Sequence, residues 1–345
     1  MLSNEALAEL WSQARLTATD KFDAPPVILR VGNSIIGTLG NFSASTGKAK
    51  SKKTFNVCAI VAAALSNDTV LRYVAELPDT KRKILYVDTE QSPFHCGRIL
   101  NRIIRLAGLP QAEHPANLEF LVLRRYTPSV RAEIIRQVIY NTEGLGLVVI
   151  DGIRDLAYDI NSPSEATTLI SSLMQWTDER QIHIHTVLHL NKGDDNTRGH
   201  LGTELNNKAE TILQVTKDDF DRDISTVQAM CIRDMEFDPF AFRINDDVLP
   251  ELIEEYSFQK STTSKSFDYH ELSAEQHREA LTMLFTESGS VSYSKLITAL
   301  RKSYADVLGC SFGENKVKSL KTFLENKRMI LKEGKSYRFN PDFSY

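Results

Sequence analysis

From residue 31 to about 250 the chain alternates short apolar runs with amphipathic stretches, and this alternation constrains the fold more than any other feature. NVCAIVAAALS, CGRILNRIIRLAG, VRAEIIRQVIYN and ATTLISSLMQWTDER have helical spacing. Between and after them stand KILYVDTE, LEFLVLR, LGLVVIDG, IHIHTVLHL, TILQVTK and TVQAMCIRD, with the length and branched-residue content of strands. Strand alternating with helix predicts an α/β domain on a mostly parallel sheet flanked by helices. LVVID and HTVLHL are apolar without a break, as strands covered on both faces are. SIIGTLGNFSA reads as the strand that opens the domain.

Around this block the pattern changes. Residues 1–30 read as an amphipathic helix, MLSNEALAELWSQARL, and an extended piece at DAPPVIL, where the prolines turn the chain away from helix. The α/β pattern spans 31–255. Ser, Thr and Lys then accumulate over YSFQKSTTSKSFDYH, read as a linker at 256–270. Residues 271–345 give three helical patterns and a hairpin-like MILKEGKSYRFNP turning at Glu333-Gly334, the layout of a winged-helix domain. Its end is basic: residues 291–345 hold eleven Lys and Arg against five Asp and Glu, so the other 290 residues carry −10 of the net −4. A basic end on an acidic body predicts a local anion-binding surface, with nucleic acid as the partner or simply a solvated face. No apolar run approaches the ~18 residues of a membrane span, and the N-terminus lacks the layout of a signal peptide. Cys58, Cys96, Cys231 and Cys310 stand far apart, which argues against zinc and a disulfide framework. The expectation is a reduced, cytoplasmic protein.

The first chemical motif lies at residues 47–54. The phosphate-binding loop formula, G-x-x-x-x-G-K-[ST], is met by Gly47, Lys53 and Thr54, but Lys52 stands where the second glycine belongs. The register ending on Gly47-Lys48 needs glycine at Phe42 and a hydroxyl at Ala49, and fails at both. Strand, loop and helix follow one another as such a site requires, and a helix start directs unpaired N–H groups at an anion. The expected nucleotide contacts are Gly47, Lys48, Ala49, Lys50, Ser51, Lys52, Lys53, Thr54 and Phe55. Lys53 would reach the β- and γ-phosphates and Thr54 would ligate Mg²⁺. The bland alternative is a basic turn before a buried helix.

Three strand ends supply partners. Asp151 closes LGLVVID, in the crevice where α/β sheets bind ligands, and is the second candidate for Mg²⁺. KILYVDTE ends in Asp88-Thr89-Glu90; Glu90 is the candidate to orient or deprotonate the attacking water, with Asp88 as alternate. His189 and Asn191 follow the next strand, placed to sense the γ-phosphate or touch nucleic acid. Lys192 and Arg198 continue into a polar, glycine-bearing loop. Arg233, late in TVQAMCIRD, and Arg198 are rival candidates for an arginine that reaches a neighbouring subunit's nucleotide. His183 and His185 have strand spacing without a third ligand and read as structural. In the basic end, Lys316, Lys318, Lys321, Lys327 and Arg328 of the third helix, with Lys335 and Arg338 of the wing, are the expected phosphate contacts.

The order of the loop, LYVDTE, VVIDGIRDL and VLHLNK…TRG resembles the RecA-fold ATPases over residues 30–245. Within them the chain is most similar to the RepA-like replicative helicases and to related ATPases of bacterial mobilisable elements, where loops of the GKAKS-x-KT type occur. That resemblance makes Lys52 a subfamily trait. It implies ATP with Mg²⁺, a homo-oligomeric ring, commonly a hexamer, with sites between subunits, His189 as sensor and Arg233 as the arginine acting in trans. The expected function is an ATP-hydrolysing DNA-processing protein of a mobile element, helicase-like or a mobilisation or replication ATPase, meeting single- or double-stranded DNA and mobilisation or replication proteins. The alternatives are a DNA-binding regulator or assembly factor with a slow ATP switch, and an adaptor with an inactive loop.

Overall fold

A computed structural model describes residues 3–190, 199–218, 221–256, 258, 269, 272–286, 289–308 and 313–343. The chain divides into two compact units, Met1–Tyr256 and Ser257–Tyr345. In the first unit the helices are α1 (Asn4–Gln13), α2 (Lys53–Ser66), α3 (Pro93–Leu106), α4 (Pro128–Asn141), α5 (Pro163–Arg180) and α6 (Gly199–Lys208). The strands are β1 (Val27–Val31), β2 (Ser34–Thr38), β3 (Phe42–Gly47), β4 (Thr69–Val70), β5 (Tyr73–Ala75), β6 (Lys83–Asp88), β7 (Leu118–Val122), β8 (Leu145–Asp151), β9 (His183–His189), β10 (Thr211–Lys217), β11 (Ile224–Ile232), β12 (Phe240–Ile244) and β13 (Pro250–Ile253).

Nine strands form the main sheet in the order β13-β12-β11-β10-β3-β9-β8-β6-β7. From β10 to β7 every neighbouring pair is parallel; β11, β12 and β13 extend the sheet antiparallel. This is the expected mostly parallel, helix-flanked sheet. Alternate strand residues feed two cores. Ile84, Tyr86, Leu147 and Val149 face α2 and α3, whereas Leu85, Val87, Val148 and Ile150 face α4, α5 and α6. Two covered faces explain why these strands are apolar at successive positions.

SIIGTLGNFSA is two strands, not one. Gly40, at φ 85°, turns the chain between β2 and β3. β2 joins β1, β5 and β4 in a separate four-stranded sheet that closes over α2. Covered by both sheets, α2 buries eleven of its residues, which accounts for its apolar character all round. The boundary expected at residue 30 falls inside β1, whose Ile28, Leu29 and Val31 belong to the core.

The second unit contains α7 (Ala274–Phe285), β14 (Val291–Ser292), α8 (Tyr293–Leu308), α9 (Glu314–Asn326), β15 (Ile330–Glu333) and β16 (Ser336–Phe339). Ser273 and Gln276 close a capping box at the start of α7. The expected hairpin forms, with Gly334 at φ 61° in its turn, and short β14 adds a third strand on β16. Leu281, Leu296, Leu300, Leu320 and Leu324 knit the helices to the hairpin. The linker expected at 256–270 lies almost wholly outside the described residues.

Candidate active site

The loop between β3 and α2 owes its path to a few contacts. A Cβ on Gly47 would come 2.3 Å from the Val215 carbonyl oxygen and 2.6 Å from Ser51 Oγ, so no larger residue fits where β3 passes β10. Lys50 and Lys52 both take left-handed backbone, at φ 65° and 66°, which costs a side-chain-bearing residue about 1 kcal/mol or more. Lys52 thus has the conformation that glycine adopts easily, and its side chain has a use. Its Nζ donates to the Arg222 carbonyl over 2.8 Å and lies 3.7 Å from Asp223 Oδ1, tying the loop to the turn between β10 and β11. Gly47 and Lys48 meet Lys53 from below: Lys53 Nζ donates to their carbonyl oxygens over 2.8 and 2.9 Å. Burial pulls this amine down to about 8, although Asp151 and Glu90 act to raise it.

Two adjacent strands bring the acids to the same place. β6 and β8 pair with Asp88 opposite Asp151. Thr54 Oγ1, on the first turn of α2, donates to Asp151 Oδ2 over 3.2 Å, and the Tyr86 hydroxyl donates to the same oxygen over 2.9 Å. Burial, then the neighbouring Asp88 charge, push Asp151 up to about 6. Asp88 Oδ1 accepts from the backbone N–H groups of Glu90 and Gln91, at 3.0 and 2.7 Å, so this carboxylate shapes the turn that presents Glu90. Glu90 projects into solvent, its Oε2 4.0 Å from His189 Nε2 at the end of β9. His189 foremost, with Lys53 and Arg154 behind, holds Glu90 below the usual carboxylate range. It is therefore ionised at neutral pH.

These groups share a cleft of about 440 Å³, lined by Lys50 to Phe55 and by Asp88, Glu90, Asp151 and His189. Its far wall comes from residues that the motifs did not point to. His95, Arg98, Ile99 and Arg102 of α3 line it, together with Val248. Arg102 lies 3.8 Å over the Phe55 ring and donates to the Val248 carbonyl over 3.1 Å. Their sequence signal was the spacing i, i+3, i+4, i+7 on one helix face, directly after the strand-end acids. Tyr86 was likewise legible, two residues before Asp88 on the same face of β6.

The residues suit a magnesium nucleotide. Ser51 Oγ and Asp88 Oδ2 are buried without hydrogen-bond partners, a costly state for groups that a ligand would satisfy. Among the described residues no cluster of three or more His, Cys, Asp or Glu is set to hold a metal alone. A cation here would rest on Thr54, Asp151 and phosphate oxygens, as Mg²⁺ sites commonly do.

Other expected residues lie elsewhere. Arg233 sits one residue past β11, not within it, and donates to the Lys208 carbonyl over 2.9 Å. β11 runs antiparallel to β10, which places Arg233 at the sheet edge opposite the loop; it cannot serve the nucleotide of its own chain. Arg198, Asn191 and Lys192 lie outside the described residues. His183 and His185 are fully buried in a hydrogen-bonded ladder on β3 and β9: Thr38 carbonyl, His183, Ser43, His185, Ser45, with contacts of 2.7–2.9 Å. The carbonyl can only accept, so His183 Nδ1 carries a proton and its Nε2 accepts from Ser43; His185 Nδ1 then donates to Ser43 and its Nε2 accepts from Ser45. Every partner is satisfied with neutral rings, and burial drives His185 down to about 3.

In the second unit, Lys318, Lys327, Arg328 and Lys335 are exposed and Lys316 is half-buried. Lys321 and Arg338 are not the open phosphate contacts expected. Lys321 pairs with Glu325 and lies against the rings of Tyr293 and Tyr337, because it sits on the inner side of α9 facing the hairpin. Arg338 pairs with Glu333 across the hairpin.

A family model described as an AAA domain matches residues 13–195, just over half of the chain. Among solved structures the chain is similar to the RadB recombinase, with 17% identity over 61% of this chain and 90% of that one and a TM-score of 0.43. It is also similar to a KaiC-like protein of the hyperthermophilic archaeon Pyrococcus horikoshii OT3, with 11% identity over 62% and 90% and a TM-score of 0.45. No curated protein matches it.

Proposed function

The chain belongs to the AAA domain family of P-loop ATPases, and from that premise we propose that it couples hydrolysis of Mg-ATP to the processing of DNA. The observation that carries the nucleotide site is the Thr54–Asp151 contact of 3.2 Å beside Lys53, with Glu90 and His189 at the same sheet edge. Lys53, now on the Gly47 and Lys48 carbonyls, would meet phosphate oxygens, while Thr54 and Asp151 would hold a cation that neutralises phosphate charge. Glu90, ionised and oriented by the Asp88-bound turn, accepts a proton from the attacking water. His189 couples that carboxylate to the end of β9. Arg233, remote from its own cleft, serves a neighbouring subunit in a ring, commonly six-membered.

The second unit is read as a winged helix that binds DNA, with α9 as its reading helix and Lys316, Lys318, Lys327, Arg328 and Lys335 as phosphate contacts. A helicase-like or mobilisation ATPase of a mobile element, acting in the cytoplasm, is the reading favoured; no described helix is long and apolar enough to cross a membrane. ATP turnover measured with and without single- and double-stranded DNA, alongside the native mass with nucleotide, tests it. Turnover stimulated by DNA in an assembled ring is expected. Turnover indifferent to DNA would instead mark a switch, and none at all an inactive adaptor.

A further inference from the structure

Beyond the nucleotide cleft, the same sheet edge carries a basic and aromatic surface that the ATPase chemistry does not use. β7, at the edge of the sheet, is followed by Leu123-Arg124-Arg125-Tyr126 before α4. Arg124 and Arg125 are exposed, and neither guanidinium has a partner among the described residues. With Ser92, Pro93, Val122 and Tyr126 they line a cavity of about 620 Å³. Tyr126, 40% exposed, lines it; Phe94, 72% exposed, follows Pro93 in the chain, and Tyr158 is 70% exposed. Tyr158 is held beside α4 by a 3.1 Å bond between its hydroxyl and Ser129 Oγ.

This surface is built and held. Arg131 donates to the carbonyls of Leu123, Arg124 and Asp155 over 3.0, 2.8 and 2.9 Å. One buttressing guanidinium thus pins the backbone of both loops and leaves the side chains of Arg124 and Arg125 directed at nothing in the protein. α3 and α4 both begin here with a proline at their first turn, and neither has a side-chain cap on its N–H groups. Unpaired arginines and uncapped helix starts select a polyanion. Separate exposed rings select one whose bases are unstacked, because every base offers a face to stack on. Duplex DNA keeps its bases stacked and would leave those rings idle.

We propose that this surface binds single-stranded nucleic acid, with phosphates on Arg124 and Arg125 and bases on Phe94, Tyr126 and Tyr158. It is distinct from the basic residues of the second unit. It also adjoins the ATP chemistry: Gln91 and His95 line the nucleotide cleft while Ser92 and Pro93 line this cavity. A strand held here bears on the turn that presents Glu90.

The test is fluorescence anisotropy of a labelled oligothymidylate with the full chain across a salt series. The expected result is that Arg124→Glu/Arg125→Glu weakens binding at least tenfold and lowers the salt slope by about 1.4, two contacts at roughly 0.7 each. Arg124→Lys/Arg125→Lys, which keeps the charge, retains the slope, and Arg124→Gln/Arg125→Gln, which removes the charge without reversing it, should lower the slope likewise and stands in should the reversal fail to fold. Tyr126→Ala costs roughly tenfold with the slope unchanged. Lys318→Ala/Lys327→Ala in the second unit leaves these differences intact, so failure of the winged-helix reading is scored apart from failure here. Unchanged affinity and slope in the reversal variant would overturn the proposal. So would an equal fall in duplex affinity on the same reversal, or no binding of the oligonucleotide by the wild type, the outcome for a surface that takes a protein partner.

Discussion

Lys53 is buried to 5% exposure, and replacing it should separate its cost to the fold from its service to the ligand. An amine that titrates at 10.5 in water and at about 8 here costs the folded state ~3 kcal/mol in its charged form. Lys53→Met keeps the hydrocarbon length and removes the charge. It also strands the Gly47 and Lys48 carbonyls, a loss of ~1–2 kcal/mol. Without nucleotide the variant should therefore be more stable than the wild type by ~1–2 kcal/mol, roughly 2–8 °C in melting temperature for a unit of this size. With Mg-ATP the order reverses. The wild type gains about 2.7 kcal/mol at one hundred times Kd by mass action, whereas the variant gains nothing. The pH dependence carries the sign. Between pH 8 and 10.5 the unfolded chain holds a proton on Lys53 that the folded chain has released, so wild-type stability rises through that window relative to the variant. The difference is constant below pH 8 and shrinks above it. Thermal melts of both proteins from pH 7 to 10, with and without Mg-ATP, read all of this. A variant less stable than wild type without nucleotide, a difference indifferent to pH, or an equal response to Mg-ATP would refute the reasoning.

Glu90→Gln should lower ATP turnover by about 10²–10⁴-fold while the melting temperature still rises with Mg-ATP, measured by phosphate release and thermal shift. Asp151, raised by burial to about 6, is a carboxylate whose charge costs the fold above that pH: in the window from 3.8 to 6 the folded chain holds the extra proton, so this group's contribution falls as pH rises. Asp151→Asn should accordingly melt no lower than wild type at pH 7 yet lose turnover at least about 100-fold, and wild-type affinity for Mg-nucleotide should fall as the pH drops below about 6. Gly47→Ala, which drives a methyl within 2.3 Å of the Val215 carbonyl, should destabilise by ~2 kcal/mol or more and abolish the nucleotide response. Ser43→Ala removes the hydroxyl that serves both His183 and His185 and should cost ~2–3 kcal/mol in denaturant unfolding, since two buried ring nitrogens lose their partner.

The parallel sheet was legible because β6 and β8 carry apolar residues at successive positions, a signature that one-sided strands do not give. The break inside SIIGTLGNFSA was not, because β2 and β3 are short runs of mostly small and branched residues separated only by Gly40 and its neighbours, so periodicity alone joins them. In the cleft, Lys53 and Thr54 could be found from the loop formula, and Asp88, Glu90, Asp151 and His189 from their positions at strand ends, since parallel strands deliver their C-termini to one edge. Arg98 and Arg102 lay one helix further on, without a motif of their own. Arg233, expected to act in trans, stands just past β11 at the far edge, a position that shows only once that strand is seen to run antiparallel. Lys321 and Arg338 look like open cations in sequence, but the hairpin brings Glu325, Glu333 and two tyrosine rings to them.

The electrostatics of the cleft also bear on which ligand it suits. Lys53 is pulled below the ordinary range for its kind and Asp151 above it, and burial is the largest cause of both. Each group is driven towards its neutral form although Thr54 links the lysine's helix to the aspartate. A simple anion would restore Lys53 but repel Asp151 and Asp88; a bare divalent cation would do the reverse. Relief of both requires one ligand that presents phosphate oxygens to the loop and a divalent cation to the two strand ends, in contact with each other. Phosphate bound to Mg²⁺ has that character, and nucleotide and metal should therefore bind with positive coupling, each raising the affinity for the other by the same factor. Independent binding of the two would leave the opposed shifts of Lys53 and Asp151 as consequences of burial alone.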